Sequence, residues 1–281
     1  MQTPPPSRSR PFFKYFIIIA IVLILFGWLI LTPSGVFGKL HAVGYAVCHQ
    51  IPERSFPLGA GTTPLCARCS GMYIGAVIGL VFQSLTAWKR SATPPWYVIV
   101  VLAVFVVAFG VDGVNSYLYL MKQVSPGFLE SVPNLYIPNN VLRLLTGSGM
   151  GLGMAAGLFP AFNSTVWADA REERALPGFK SFGIVLGITL LVDLLVLTES
   201  PFVLYPVAFI TTGGVLLLLT MVYSMVWIMI MRQENAFTRL SEMWLPLLAG
   251  LTIALLQISA IDALRLWSTG TWESFPFNIR R

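Results

Sequence analysis

The chain has 281 residues, of which 56% are hydrophobic and 11% charged. Soluble globular domains carry about 25% charged residues, so this composition describes a chain solvated largely by lipid. Three cysteines are too few for a disulfide-stapled scaffold, and a mean hydropathy of +0.76 excludes disorder. The net charge of +6 would suggest nucleic acid in a soluble protein, but in a membrane protein basic residues first report orientation. No nucleic-acid partner is expected.

A helix needs about 20 apolar residues to cross a hydrocarbon core. Seven windows satisfy this, at 13–32, 69–88, 96–118, 140–160, 181–199, 202–231 and 244–267. The fold class is therefore all-α, an integral membrane bundle of about seven transmembrane helices forming a single membrane domain over 1–281. The first window follows Arg8, Arg10 and Lys14. Its apolar run exceeds the roughly 7 to 15 residues of a signal peptide, so it reads as an uncleaved anchor.

An odd number of spans places the termini on opposite sides. With the N-terminus inside, the cytoplasmic segments hold Arg8, Arg10, Lys14, Lys89, Arg90, Arg171, Arg174, Lys180, Arg232 and Arg239, which is 10 of the 18 Lys and Arg. Three of the others, Arg68, Arg143 and Arg265, sit at or inside helix ends, where function rather than topology can place them. The expected orientation is N-in, C-out. The inner stretch Asp169 to Arg174 reads as a solvated connector.

All three cysteines, Cys48, Cys66 and Cys69, and both histidines, His41 and His49, lie in or beside the outer loop expected over 33–68. Thiolates and imidazole suit tetrahedral zinc, and two residues between Cys66 and Cys69 is a common spacing for two ligands of one ion. The expected ligand set is Cys48, His49, Cys66 and Cys69, with His41 as the alternative imidazole and iron as the alternative metal. Compartment chemistry gives a competing account. Thiols outside the cytoplasm usually oxidise, and an odd cysteine beside a disulfide is the arrangement of a thiol-disulfide redox protein.

The strings Cys48-His49-Gln50, Pro52-Glu53-Arg54-Ser55-Phe56 and Cys66-Ala67-Arg68-Cys69-Ser70-Gly71 resemble the signature of an uncharacterised domain-of-unknown-function family of prokaryotic polytopic membrane proteins. The resemblance extends more weakly to Asp112-Gly113 and to Asn140, Arg143, Thr146 and Gly147. It implies the prokaryotic cytoplasmic (inner) membrane and no particular mechanism.

Charges inside a membrane helix cost about 2.5 to 3.5 kcal/mol near its centre and call for partners. Asp112, Arg143, Asp193, Asp262 and Arg265 all fall in the outer half of their helices, just beneath the cysteine loop. Gly71, Gly75 and Gly79 repeat every four residues in the second window, as do Gly147 with Gly151 and Gly149 with Gly153 in the fourth. Small residues at this spacing let two helices close up in lipid, which would bring Arg143 beside Cys69. Asp112 is expected to pair with Arg143, and these two are the candidate catalytic groups. Asp262 and Arg265 are expected to neutralise each other locally, and Asp193 must find its partner across the bundle.

Three functions follow from these residues. The first is a metal site above an Asp/Arg layer, structural if four protein ligands close it, and a membrane-embedded hydrolase of lipid-linked or other extracytoplasmic substrates if one coordination position stays open. The second is a thiol-disulfide redox protein. The third is a proton- or ion-coupled transporter using Asp112, Asp193 and Asp262. Nucleotide and haem motifs are absent from the sequence.

Overall fold

A computed structural model describes residues 11–125, 127, 129 and 131–273. Arg8, Arg10, Arg280 and Arg281, part of the charge count above, lie outside the described residues. The helices are α1 (Pro11–Leu31), α2 (Gly35–Val47), α3 (Ala67–Thr86), α4 (Trp96–Val124), α5 (Asn140–Val166), α6 (Phe179–Val196), α7 (Pro201–Ile230) and α8 (Trp244–Thr269). All but α2 belong to segments long and apolar enough to cross a membrane. Their outer faces carry large bare side chains such as Phe202, Trp267 and Leu85, which are 92%, 85% and 82% exposed. Such faces match lipid tails and would be unsustainable in water.

α2 departs from the loop expected between the first two spans. It has 13 residues, too few at about 1.5 Å each to cross a core roughly 30 Å thick. It packs against α7 and α8 at one end of the bundle. The rest of this connection is a short 3-10 turn at Pro52–Arg54 and a hairpin of β1 (Pro57–Leu58) with β2 (Gly61–Thr62). Gly59 takes a φ of +62° in that hairpin's turn, a conformation that favours glycine.

The centre of the bundle is the pair α3 and α5, which share the most extensive helix interface. Glycine makes it possible. A Cβ on Gly71 would stand 2.2 Å from the carbonyl oxygen of Leu144, and one on Gly75 2.1 Å from that of Ser148. The opposing helix answers in kind, because Gly147 and Gly151 face the carbonyls of Arg68 and Met72 at 2.2 and 2.0 Å. The two backbones touch over two helical turns, as the glycine spacing predicts. Gln83 extends the contact by donating to the carbonyl of Ala155 at 3.1 Å.

α4 flanks α5, α7 pairs with α8, and α1 lies outside α8. Trp28 of α1 donates its indole N–H to Asp262 of α8 at 3.1 Å. At the end opposite the cysteines, the connections are more ordered than the solvated connector expected from sequence. There β3 (Arg90–Ala92) pairs in parallel with β4 (Arg171–Arg174). Lys89 binds both oxygens of Asp169 and, at 2.7 Å, the carbonyl of Thr238, tying three connections together.

Gly75→Ala is expected to force the two helices apart and destabilise the protein by about 1 to 3 kcal/mol, the usual cost of overpacking. Gly187→Ala on α6, where a Cβ meets nothing within 4 Å, is the matched control and should be neutral or stabilising by helix propensity. Denaturant unfolding of both variants in detergent reads the difference; equal midpoints would show that the interface tolerates a side chain.

Candidate functional site

Cys48 caps the C-terminus of α2 and Cys66 caps the N-terminus of α3, with Cys69 in the first turn of that helix. Their sulfur atoms lie within 4.8 Å of one another, and none forms a disulfide. The backbone N–H groups of Gln50 and Cys66 point at the sulfur of Cys48 from 3.4 and 3.3 Å. Such donors favour negative sulfur. Sulfur hydrogen bonds from Cys48 and Cys69, aided by Arg68, hold the Cys66 thiol well below its ordinary value. Hydrogen bonding to Cys66 and burial push Cys48 up to about 12. The thiolate form is therefore favoured first at Cys66, at the positive end of the α3 dipole. A set of three such thiols can hold a metal ion.

The surrounding residues fix this triad from several elements. Gln50, with a φ of +53°, turns its amide back to donate to the carbonyls of His41 and Pro64 at 3.0 and 2.8 Å. Arg265 of α8 donates to the carbonyls of Tyr45 and Cys48, both at 2.6 Å, and lies 3.8 Å over the Tyr45 ring. A cation at the carbonyl end of α2 suits the helix dipole. Ser70 reaches the carbonyl of Leu65 at 3.2 Å, and Ala67 is fully buried. Each position of the Cys66 to Gly71 string thus has a packing or bonding task.

Cys48, Cys66 and Cys69 form one wall of a cavity of about 240 Å³ whose other walls include Arg54, Arg68 and Arg143. His49, Gly113, Tyr117 and Leu120 complete most of the lining. Burial, and then Arg265, hold His49 below the ordinary imidazole value. Arg54 leaves the 3-10 turn and donates to the carbonyl of Ser116 at 3.0 Å. Arg68 is bound to Asp112 through Nε at 3.0 Å and through Nη2, which also meets Ser116 Oγ at 2.9 Å.

Several sequence expectations change here. Asp112 pairs with Arg68, not Arg143, because the rotation of α3 points residue 68 at α4. Its second oxygen accepts the Tyr136 hydroxyl at 2.6 Å. Burial and that carboxylate raise Tyr136 to about 12. With both oxygens engaged and 1% exposure, Asp112 holds Arg68 against α4. Arg143 instead binds Asn140 Oδ1 at 2.9 Å and faces the cavity. Asp262 and Arg265 do not bond each other: the acid meets Trp28 and the guanidinium meets α2. Asp193 does reach across the bundle, accepting from Ser148 of α5 at 2.8 Å.

The structure brings the three cysteines together, with Arg143 and His49 on the same cavity. His41 stands apart, bonded to Gln50 through Nδ1 at 3.1 Å and to the carbonyl of Thr62 through Nε2 at 3.3 Å. Two contributors escaped sequence reasoning. Arg54 stands in the Pro52 to Phe56 string with no role that its spacing assigns, and Tyr136 lies in a connection without periodicity. The repeated arginines of the Pro52 and Cys66 strings were the available signal for the first.

Asp112→Ala is expected to cost about 3 to 5 kcal/mol, the penalty of stranding one member of a buried pair. An Arg68→Met, Asp112→Leu double variant should recover much of that loss in denaturant titrations, and no recovery would show that the pair is not coupled. In metal-stripped protein, iodoacetamide at about pH 7, below the usual thiol value near 8.5, is expected to modify Cys66 ahead of Cys48. Peptide mass spectrometry reads the order, and Cys48 reacting first would place the charge elsewhere.

Residues 48–156 match the family described as "Predicted membrane protein (DUF2085)". An uncharacterised protein of Methanothermobacter thermautotrophicus is 32% identical over 109 residues, 39% of this chain and 81% of its own length. Another of Methanocaldococcus jannaschii is 27% identical over 169 residues, covering 55% of this chain and 96% of that protein. No solved structure matches. The matched segment opens at Cys48 and holds Arg54, Cys66, Arg68, Cys69, Asp112 and Arg143, so the chain shares the site-bearing helices with its relatives and belongs to this family of membrane proteins.

Proposed function

We propose that the chain is a metalloprotein of the prokaryotic cytoplasmic membrane, oriented N-in and C-out, in which Cys48, Cys66 and Cys69 hold one zinc ion on the extracytoplasmic side. The observation that carries this reading is the convergence of three sulfurs within 4.8 Å on the wall of a cavity that three arginines also line. Thiolate ligands suit zinc, and three protein ligands leave its fourth tetrahedral position to a water or a substrate atom, as in catalytic rather than structural sites. Zinc supplies Lewis-acid activation of water or of a ligand oxygen there.

The chain's own residues supply the rest. Asp112 and Tyr136 lock Arg68, Asn140 orients Arg143, and Arg265 holds the Cys48 to His49 backbone against α8. His49, expected from the sequence as a fourth ligand, falls outside the three-sulfur cluster and lines the cavity, where it can exchange a proton with a bound molecule. The reaction class is hydrolysis of an extracytoplasmic or lipid-linked substrate. The transport reading has less support, because Asp112 of α4, Asp193 of α6 and Asp262 of α8 bind three separate sets of partners, Arg68 with Tyr136, Ser148 and Trp28.

A thiol-disulfide role remains the second reading, favoured by Cys66 at the N-cap of α3 with Cys69 one turn in. One experiment separates them. Inductively coupled plasma mass spectrometry of protein purified without chelator is expected to give about one zinc per chain, the stoichiometry of a single tetrahedral site. A Cys66→Ser, Cys69→Ser variant should lose it. Protein with no metal and a disulfide between two of the cysteines would overturn the metal reading in favour of the redox one.

A further inference from the structure

Three guanidinium groups line the cavity beside the cysteines, and the acid that bonds any of them among the described residues is Asp112, already spent on Arg68. Arg143 is 6% exposed. It spends one N–H on Asn140, and its buried Nε has no partner. Arg54 is half-buried and tied by one bond to the carbonyl of Ser116. Glu53, next to it in the chain, is exposed. Burying a cation without a hydrogen-bonded counter-charge is costly, so this arrangement is stable to the extent that something anionic sits among the arginines.

The structure assigns to this cavity a phosphate-type oxyanion, bound by Arg143 and Arg54 with Arg68 fixed behind them. The inference deepens the metal reading by naming its substrate class, and it rests on that reading for one of its contacts. Charge sets the sign: three arginines against Asp112 and a zinc held by three thiolates leave the site about one unit positive. Shape sets the class. Guanidinium forks bind phosphate and carboxylate alike, but Arg54, Arg143 and an open metal position are three separate anchors. A tetrahedral phosphate has the oxygens to meet all three at once, and a planar carboxylate has two.

Size adds a further constraint. A cavity of about 240 Å³ falls below the roughly 300 to 1,000 Å³ of pockets that enclose whole drug-sized ligands. It takes a free phosphate ion or the phosphate head of a molecule whose remainder projects outside. Tyr117, on the cavity wall, is 58% exposed on α4, which marks the side on which a projecting chain can leave.

The test is isothermal titration of the detergent-solubilised, zinc-assayed protein with inorganic phosphate, with dihexanoyl phosphatidate and with acetate. Phosphate or phosphatidate is expected to bind at least about tenfold more tightly than acetate, a difference of about 1.4 kcal/mol. Phosphatidate binding alone assigns a lipid headgroup, and binding of inorganic phosphate assigns an aqueous ion. Arg143→Gln should weaken binding by about tenfold or more with the zinc content unchanged. Arg54→Gln, at a half-buried position on a surface turn, gives the same reading if the first variant does not fold. Zinc-loaded protein that binds neither ligand, or affinities unchanged in both folded variants, would overturn the assignment while leaving the metal site intact. Phosphate binding by protein without zinc would sink the metal reading and keep this one.

Discussion

The close approach of α3 and α5 is the constraint on which the site depends. Helix axes usually stand 8 to 10 Å apart, and glycine at Gly71, Gly75, Gly147 and Gly151 removes the side chains that would enforce that spacing. Lipid provides no hydrophobic drive for two apolar helices to meet, so such contacts rely on dispersion and close backbone packing. With the two backbones in register, Arg68 and Cys69 at the start of α3 come level with Arg143 in the first turn of α5. The relative depth of the thiol and guanidinium groups is thus set by packing several residues below them.

Once the helices are paired, electrostatics dictates the rest of the cavity. Arg68 has to lie against α4, where Asp112 and Ser116 satisfy it, and the Tyr136 hydroxyl closes the carboxylate from the other side. Asp112 is thereby the counter-ion of Arg68. Arg143 and Arg54 are left facing the cysteines with most of their donors unspent. Guanidinium groups placed among buried residues call for anionic partners, and Asp112, bonded to Arg68, and the Cys66 sulfur on the cavity wall are two that the site provides.

Much of this was legible in the sequence, for identifiable reasons. Runs of about 20 apolar residues can serve little besides a membrane span, and a glycine every four residues names a contact face. Cys48, Cys66 and Cys69 declared themselves by type and spacing. What stayed hidden depends on azimuth and on irregular backbone. Arg68 and Arg143 both lie at the depth of Asp112, and only the rotation of α3 about its axis decides that residue 68 makes the bond. α2 was hidden because its 13 residues include Gly35, Gly38 and Gly44, which weaken a helical signal. Gly44 is there for packing, since a Cβ would stand 2.1 Å from the carbonyl of Pro64.

The division of labour along the chain follows from where these contacts originate. The family match ends at residue 156 within α5, and every group that faces the cavity from a protein wall lies within it. Arg265 and Asp262 lie beyond it and Trp28 before it, yet they act on the site through the backbone: Arg265 clamps the carbonyls that precede and include Cys48, and Trp28 binds the acid three residues from Arg265 on the same helix. The two helix ends at the cysteines are then oppositely compensated. The carbonyl end of α2 has a cation, and the N–H end of α3 has Cys66, whose thiol is held well below its ordinary value. Each charge stabilises the helix end that positions it, so the geometry of the cysteines is held by the dipoles of the helices they terminate and needs no covalent link between them.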